Sequence, residues 1–168
     1  MRLSELNCVE RGAFVAALGG IFEHSPWVAE RAFVDRPFAS IGALHAAMLA
    51  AVDRAIAPEQ MRLLRAHPEL AGKAALRGRL TPSSTSEQSG AGLAQCSPAE
   101  FARLNELNER YTAKFGFPFI LAVKGLDRDG ILREFARRVE SDPVAERAEA
   151  MRQVSKIARH RLEALVTG

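Results

Sequence analysis

The chain has 168 residues, 48% of them hydrophobic and 26% charged, a composition that suits a packed globular core and argues against disorder. Its net charge is only +3 at pH 7 and its basic residues are scattered among acids, which weakly suits an anionic ligand and does not indicate nucleic acid. A single compact domain spanning 1–168 is expected at this length. With no early signal-peptide pattern and no apolar run near the roughly 20 residues of a membrane span, a cytoplasmic protein is the expectation.

Helix signals dominate in chain order. Asn7 followed by Glu10 has capping-box spacing and predicts a helix with Phe14, Leu18 and Ile21 on one face. Ser25-Pro26 reads as an N-cap with proline at the first helical position. Ser40 is placed to cap a helix whose Ile41, Leu44, Met48 and Val52 recur at a helical period that a strand cannot use. A short helix from Pro58 to Ala66 follows. His67 ends it, and Pro68 biases His67 away from helical dihedrals, which sets its ring at a chain break. Thr81 to Ser86 reads as a loop leading into a helix, with Ser84 and Glu87 at capping-box spacing. Ser97-Pro98-Ala99-Glu100 repeats that signal with proline added.

The run Phe115 to Val123 is apolar and aromatic, yet Gly116 and Pro118 disfavour a helix through it. A buried, extended segment is expected there, and its backbone N–H and C=O groups need partners that an amide-rich ligand could supply. Ile131, Leu132, Phe135 and Val139 form one later stripe, and Met151, Val154, Ala158, Leu162 and Leu165 another. No alternating strand, repeat or low-complexity tract appears. The expected architecture is therefore an all-α, single-domain bundle of about seven to nine helices.

Individual polar residues allow bland explanations. A histidine such as His67 titrates near neutrality and suits proton transfer, but at a helix end it can equally cap carbonyls. Ser84 and Glu87 are accounted for by capping, although a helix N-terminus also suits a carboxylate or ureido carbonyl. Arg161 lies about 60° from Ala158 around the last helix, at the stripe's edge, where an arginine either snorkels or grips a carboxylate with two hydrogen bonds. His24, His45 and His160 lack ligand spacing, and no HExxH is present, so no metal site is expected. Phosphate-binding glycine patterns and GxSxG are missing. Cys8 and Cys96, far apart in helical contexts, imply neither a disulfide framework nor a zinc site.

Several motifs join these ambiguous pieces. His67-Pro68-Glu69-Leu70-Ala71-Gly72-Lys73 resembles the HP-D/E-L-A/G-G-K/R motif of the 2-oxo-4-hydroxy-4-carboxy-5-ureidoimidazoline (OHCU) decarboxylase family. The stretch from Leu80-Thr81 through Ser84, Glu87-Gln88 and Ala91-Gly92 is similar to its LTxxSxxEQxxAG motif, and Phe115 to Ile120 to its FGFPF segment, preceded by Leu107-Asn108 and Tyr111. Arg36-Pro37-Phe38 and Arg161-Leu162 match its RPF and RL pairs.

The resemblance covers nearly the whole chain and implies a helical enzyme that converts a small anionic ureide, OHCU, to (S)-allantoin in urate breakdown. Its implied pocket comprises His67, Pro68, Ser84, Glu87, Gln88, the backbone of Phe119, Ile120, Leu121, Ala122 and Val123, and Arg161. His67 would be the acid/base, Glu87 its orienter, and Arg161 and Gln88 the holders of carboxylate and carbonyl groups. No cofactor is implied, because the substrate's own conjugated C=N and C=O groups can take up the electron pair. The rivals are a sibling ureide decarboxylase or lyase and, from another class, a helical interaction or nucleic-acid module using Arg128, Arg133, Arg137, Arg138 and Arg147. Those arginines alternate with Asp127, Asp129, Glu134, Glu140 and Glu146 and look like a solvated face. A homodimer stays open.

Overall fold

The computed structural model describes residues 1–72 and 78–168, so Lys73 at the end of the first motif lies outside the described residues. Nine α-helices and two short 3₁₀ turns account for the described regular structure, with no strand among them, and the all-α expectation holds. The chain forms two compact units, Met1–Ala66 with Ser155–Gly168, and His67–Val154.

The first unit holds α1 (Leu3–Cys8), α2 (Arg11–Leu18), α3 (Trp27–Ala32), a 3₁₀ turn (Phe33–Asp35), α4 (Ile41–Asp53) and α5 (Ala57–Arg65). Helix α3 packs on α2 and α4. Helix α4 begins as its sequence predicts, with Ser40 Oγ accepting the Ala43 N–H at 3.0 Å and Leu44, Met48 and Val52 buried. The expected Asn7–Glu10 cap is corrected. Asn7 lies inside α1, its Nδ2 donates to Phe38 O at 2.9 Å, and its Oδ1 accepts the Phe38 N–H at 2.8 Å. Two backbone partners distant in sequence take the side chain that local spacing offers to a cap. Ile21 is buried but lies beyond the end of α2. Arg36 ties the same region together, donating to Phe33 O at 3.1 Å, Asn7 O at 3.1 Å and Val9 O at 2.7 Å, with its guanidinium 3.6 Å from the Phe33 ring. Arg36-Pro37-Phe38 is thus explained by the fold.

The second unit holds α6 (Pro82–Gly90), a 3₁₀ turn (Leu93–Gln95), α7 (Pro98–Phe115), α8 (Arg128–Val139) and the start of α9 (Pro143–Leu165), whose end belongs to the first unit. Ser97 and Glu100 form the expected box at 3.2 and 2.7 Å. Helix α7 stops where Gly116 takes φ +75°, a left-handed conformation that glycine adopts without a Cβ penalty. Asp127 caps α8 through the Gly130 N–H at 2.7 Å, and Asp142 caps α9 through the Val144 N–H at 2.9 Å. Helices α7 and α8 pack together. Tyr111 lies within 6 Å, centroid to centroid, of the rings of Phe117, Phe119 and Phe135, and Phe119 stacks on Phe135 at 3.8 Å.

The last stripe departs from expectation at its end. Ala158 and Leu162 are buried, but Leu165 is 41% exposed and Val166 is buried instead. There α9 stops, and Thr167 bonds to the N-terminus, accepting the Leu3 N–H at 2.8 Å and donating to Met1 O at 3.0 Å. Among the described residues, no single helix is long and apolar enough to cross a membrane. The apolar pair α4 and α5, bent by 117°, carries Leu44, Met48, Val52, Leu63 and Leu64 as buried core.

Candidate active site

His67 follows the C-cap of α5, Ala66, and is only 7% exposed. Its loop is pinned at three successive residues. Gln88 Nε2 donates to Glu69 O at 3.2 Å, Asn108 Nδ2 donates to Leu70 O at 3.0 Å, and Gln88 Oε1 accepts the Ala71 N–H at 2.9 Å. The pinning holds an unfavourable backbone, since Ala71 has φ +50°, a conformation that costs a side-chain-bearing residue on the order of 1–3 kcal/mol. The next residue must be glycine, because a Cβ on Gly72 would lie 2.5 Å from Glu69 Cβ. The sequence Glu69-Leu70-Ala71-Gly72 is therefore the shape of the turn that carries His67.

Gln88 projects from α6, and its two bonds set the turn of α6 that carries Glu87 and Gln88 beside the His67 loop. Glu87 is half-buried and Ser84 is buried. The expected cap is corrected here too. Thr81 is the N-cap, its Oγ1 accepting the Ser84 N–H at 3.3 Å, so Ser84 lies in the first turn and Glu87 is not part of a box. Pro82, at the first helical position, is what fixes the cap one residue before it. Gln88 uses one amide hydrogen and one lone pair on the loop, and an amide carries two of each.

The segment Phe119–Val123 is non-helical, as expected, with Phe119, Ile120, Leu121 and Val123 buried. Beneath it lies a charged cluster that the sequence reading placed in solvent. Arg138 is 0% and Glu146 1% exposed. Arg138 Nε and Nη2 donate to Glu146 Oε1 at 2.9 and 2.5 Å, and Tyr111 donates its hydroxyl hydrogen to the same oxygen. Burial, reinforced by that bond to Glu146, holds the Tyr111 hydroxyl well above the usual phenol range, so it stays a donor. The signal for Arg138 was available, since it sits three residues after Phe135 and shares its helix face.

Arg161, in the first unit, is 8% exposed and donates through Nη1 to Glu23 Oε2 at 2.8 Å and more weakly to Gly20 O and Ile21 O, both at 3.4 Å. Glu23, itself buried, carries no sequence pattern that singles it out. His67, Pro68, Ser84, Glu87, Gln88 and Phe119–Val123 all fall in the second unit. Among the described residues, no group of three or more His, Cys, Asp or Glu side chains is arranged to hold a metal. Both cysteines are free thiols, and Cys96 follows a 3₁₀ turn instead of lying in a helix.

On this all-helical frame the buried His67 lies on a pinned loop beside the helix that carries Glu87. A family model described as OHCU decarboxylase matches residues 7–163, and the chain belongs to that family. A 2-oxo-4-hydroxy-4-carboxy-5-ureidoimidazoline decarboxylase of Haloferax volcanii is 41% identical over 96% of this chain and 94% of its own length. A uric acid degradation bifunctional protein of a Bacillus species is 38% identical over 97% of this chain, which spans 32% of that protein. The crystal structure of an (S)-allantoin synthase superposes with TM-score 0.80 at 32% identity, covering 99% of this chain and 54% of that one.

Proposed function

We propose that the chain decarboxylates OHCU to (S)-allantoin in urate breakdown, in the cytoplasm and without a cofactor, with His67 as the acid/base. The observation that carries this reading is the pinned loop: Gln88 and Asn108 fix three successive backbone groups just after a buried histidine, which is preorganisation that a merely capping histidine would not need. Family membership supplies the substrate class.

In the reaction, the bond between the hydroxyl-bearing carbon and its carboxylate breaks and CO2 leaves. The electron pair moves into the adjoining C=N of the ring, whose nitrogen takes up one proton from solvent as the CO2 leaves. The hydroxyl gives up its proton as it becomes a carbonyl, and the neighbouring ureido-bearing carbon takes a proton on one face, which fixes the (S) configuration. His67 moves these protons, and Glu87 keeps its ring oriented and supports the imidazolium. Pro68 shapes the floor beside His67, and Ser84 and the second hydrogen and lone pair of Gln88 serve substrate oxygens and N–H groups. The backbone of Phe119–Val123 bonds the ureido and ring amides. The part assigned to Arg161, holding the carboxylate, rests on the family resemblance. Nucleic acid has no part in this reading: Arg128 and Arg137 pair with Glu100 and Glu134, and Arg138 is buried. A homodimer is compatible with it, and sedimentation at assay concentration checks that state.

The experiment is to add freshly generated urate-oxidation intermediates to the pure protein, follow loss of the OHCU absorbance, and record circular dichroism of the product. OHCU loss no faster than its spontaneous decay, or racemic allantoin, would overturn the assignment. Dialysis against a chelator should leave the rate intact; a rate lost with EDTA and regained with zinc would remove the cofactor-free part.

A further inference from the structure

The run after α7 must satisfy its backbone without helix or sheet, and two side chains do part of this. Arg138 Nη1 donates to Ile120 O at 2.8 Å, and Gln153 Oε1 accepts the Ala122 N–H at 3.0 Å. These bonds occupy the two peptide planes that flank Leu121. Both planes are trans, since the cis bond among the described residues is Arg36-Pro37, and in a trans peptide the C=O and N–H point in opposite directions. Ile120 O is aimed at Arg138, so the Leu121 N–H is aimed away from it. The Ala122 N–H is aimed at Gln153, so Leu121 O is aimed away from that side chain. One residue thereby carries a donor and an acceptor, each turned away from a clamp, and no described residue bonds to either. Such a pair complements a group with N–H next to C=O, as in a ureido or cyclic amide, and does not complement a carboxylate or phosphate.

We propose that Arg138, Glu146 and Gln153 are positioning residues that hold the Leu121 backbone as a donor–acceptor edge for the ureido or ring amide of the substrate. This rests on the proposal that Phe119–Val123 lines the substrate site. Both clamps are themselves held. Glu146 Oε1 takes two hydrogen bonds from Arg138 and one from Tyr111, the Arg138 guanidinium lies 4.6 Å from the Phe119 ring centroid, and Gln153 Nε2 donates to Glu149 Oε1 at 2.6 Å. A buried ion pair is a poor source of stability, because apolar residues of similar volume often do as well. What apolar residues cannot do is fix the direction of a carbonyl, and Arg138 does that for Ile120.

The test uses the full chain, with OHCU as substrate and (S)-allantoin as the binding probe. In the parent protein, (S)-allantoin should slow amide hydrogen exchange at Leu121 at least tenfold and leave Ala122, already bonded to Gln153, nearly unchanged. Gln153→Met, similar in length but without the acceptor, should raise KM at least fivefold with kcat changed less than threefold, and should lose the protection at Leu121. Arg138→Lys, which keeps a charge beside Glu146 but not the reach to Ile120 O, should behave alike; if it does not fold, Gln153→Met decides alone. An unprotected Leu121 in the parent would remove the backbone site and the inference with it. A protected parent with a folded Gln153→Met protein of parental KM, or one that loses kcat at constant KM, would leave the site standing and overturn the positioning role.

Discussion

At the scale of the residue, the proposed chemistry concentrates in two side chains. His67→Asn keeps a polar group, smaller than the imidazole, on a loop that is held through its backbone, so the protein should fold with a parental circular dichroism spectrum. Decarboxylation should fall by two or more orders of magnitude, the loss expected when a positioned acid/base is removed. Turnover within tenfold of the parent would end the role of His67. Glu87 makes a sharper case now that Thr81 is seen to cap α6. Gln keeps the length and a carbonyl acceptor of Glu87, and Thr81 caps α6, so Glu87→Gln should lose no more than about 1 kcal/mol of stability. An amide supports an imidazolium poorly, so kcat should fall at least tenfold, about 1.4 kcal/mol in the transition state. The proposed roles of His67 and Glu87 rest on their motifs. Asn108 was legible only as part of a motif, and its bond to Leu70 O, 38 residues away, is a matter of tertiary structure.

At the scale of the element, two helix starts were readable because the cap is local and one was misread because a distant partner competes, whereas the start of α6 was misread although its cap, Thr81, is local. Ser40 and Ser97 cap as their spacing predicts, because donor and acceptor are three residues apart and nothing else claims the hydroxyl. Asn7 has the same spacing to Glu10 but is claimed by Phe38. Arg138 was misplaced for a related reason: its charge pattern along α8 is that of a solvated face, and Glu146 on α9, with the Ile120 carbonyl, makes its burial tolerable. The start of α6 yields a prediction that separates two assignments. Thr81→Ala removes the acceptor for the Ser84 N–H and should cost about 1 kcal/mol in a denaturant titration. Its kcat should stay within threefold, since Gln88 lies nearly two turns further along. Ser84→Ala leaves that cap intact, because the bond uses the Ser84 backbone. A parental titration midpoint for Thr81→Ala would show that the cap contributes nothing.

At the scale of the whole molecule, the titrating groups agree in sign, and the response to acid should come in two stages. His45 is half-buried and its Nε2 lies 3.0 Å from Ser155 O, a carbonyl to which it can only donate. Burial depresses its pKa below the ordinary 6.5, with a smaller push from Arg159, and together they outweigh the bond to Ser155. The unfolded chain therefore takes up a proton at His45 before the folded chain does. Stability from this group is full above pH 6.5 and declines as pH falls from there to the depressed folded value. The second stage belongs to carboxylates held below their ordinary 4.5: Glu59 by its hydrogen bond to Arg31, Glu100 by the Ser97 backbone and hydroxyl, and Glu134 by Arg137. Their contribution is present above pH 4.5 and is lost as pH falls through the lower folded values. These three lie at the surface with partly exposed side chains, and salt should weaken the second stage more than the first. His45→Gln isolates the first stage, because an amide can still donate to Ser155 O but does not titrate. The parent's Tm should fall between pH 7 and pH 5.5, and the Tm of His45→Gln should fall measurably less over that interval, with both declining alike below pH 4.5. Identical slopes above pH 5.5 would mean that His45 carries the same protonation in both states and that another group drives the early loss.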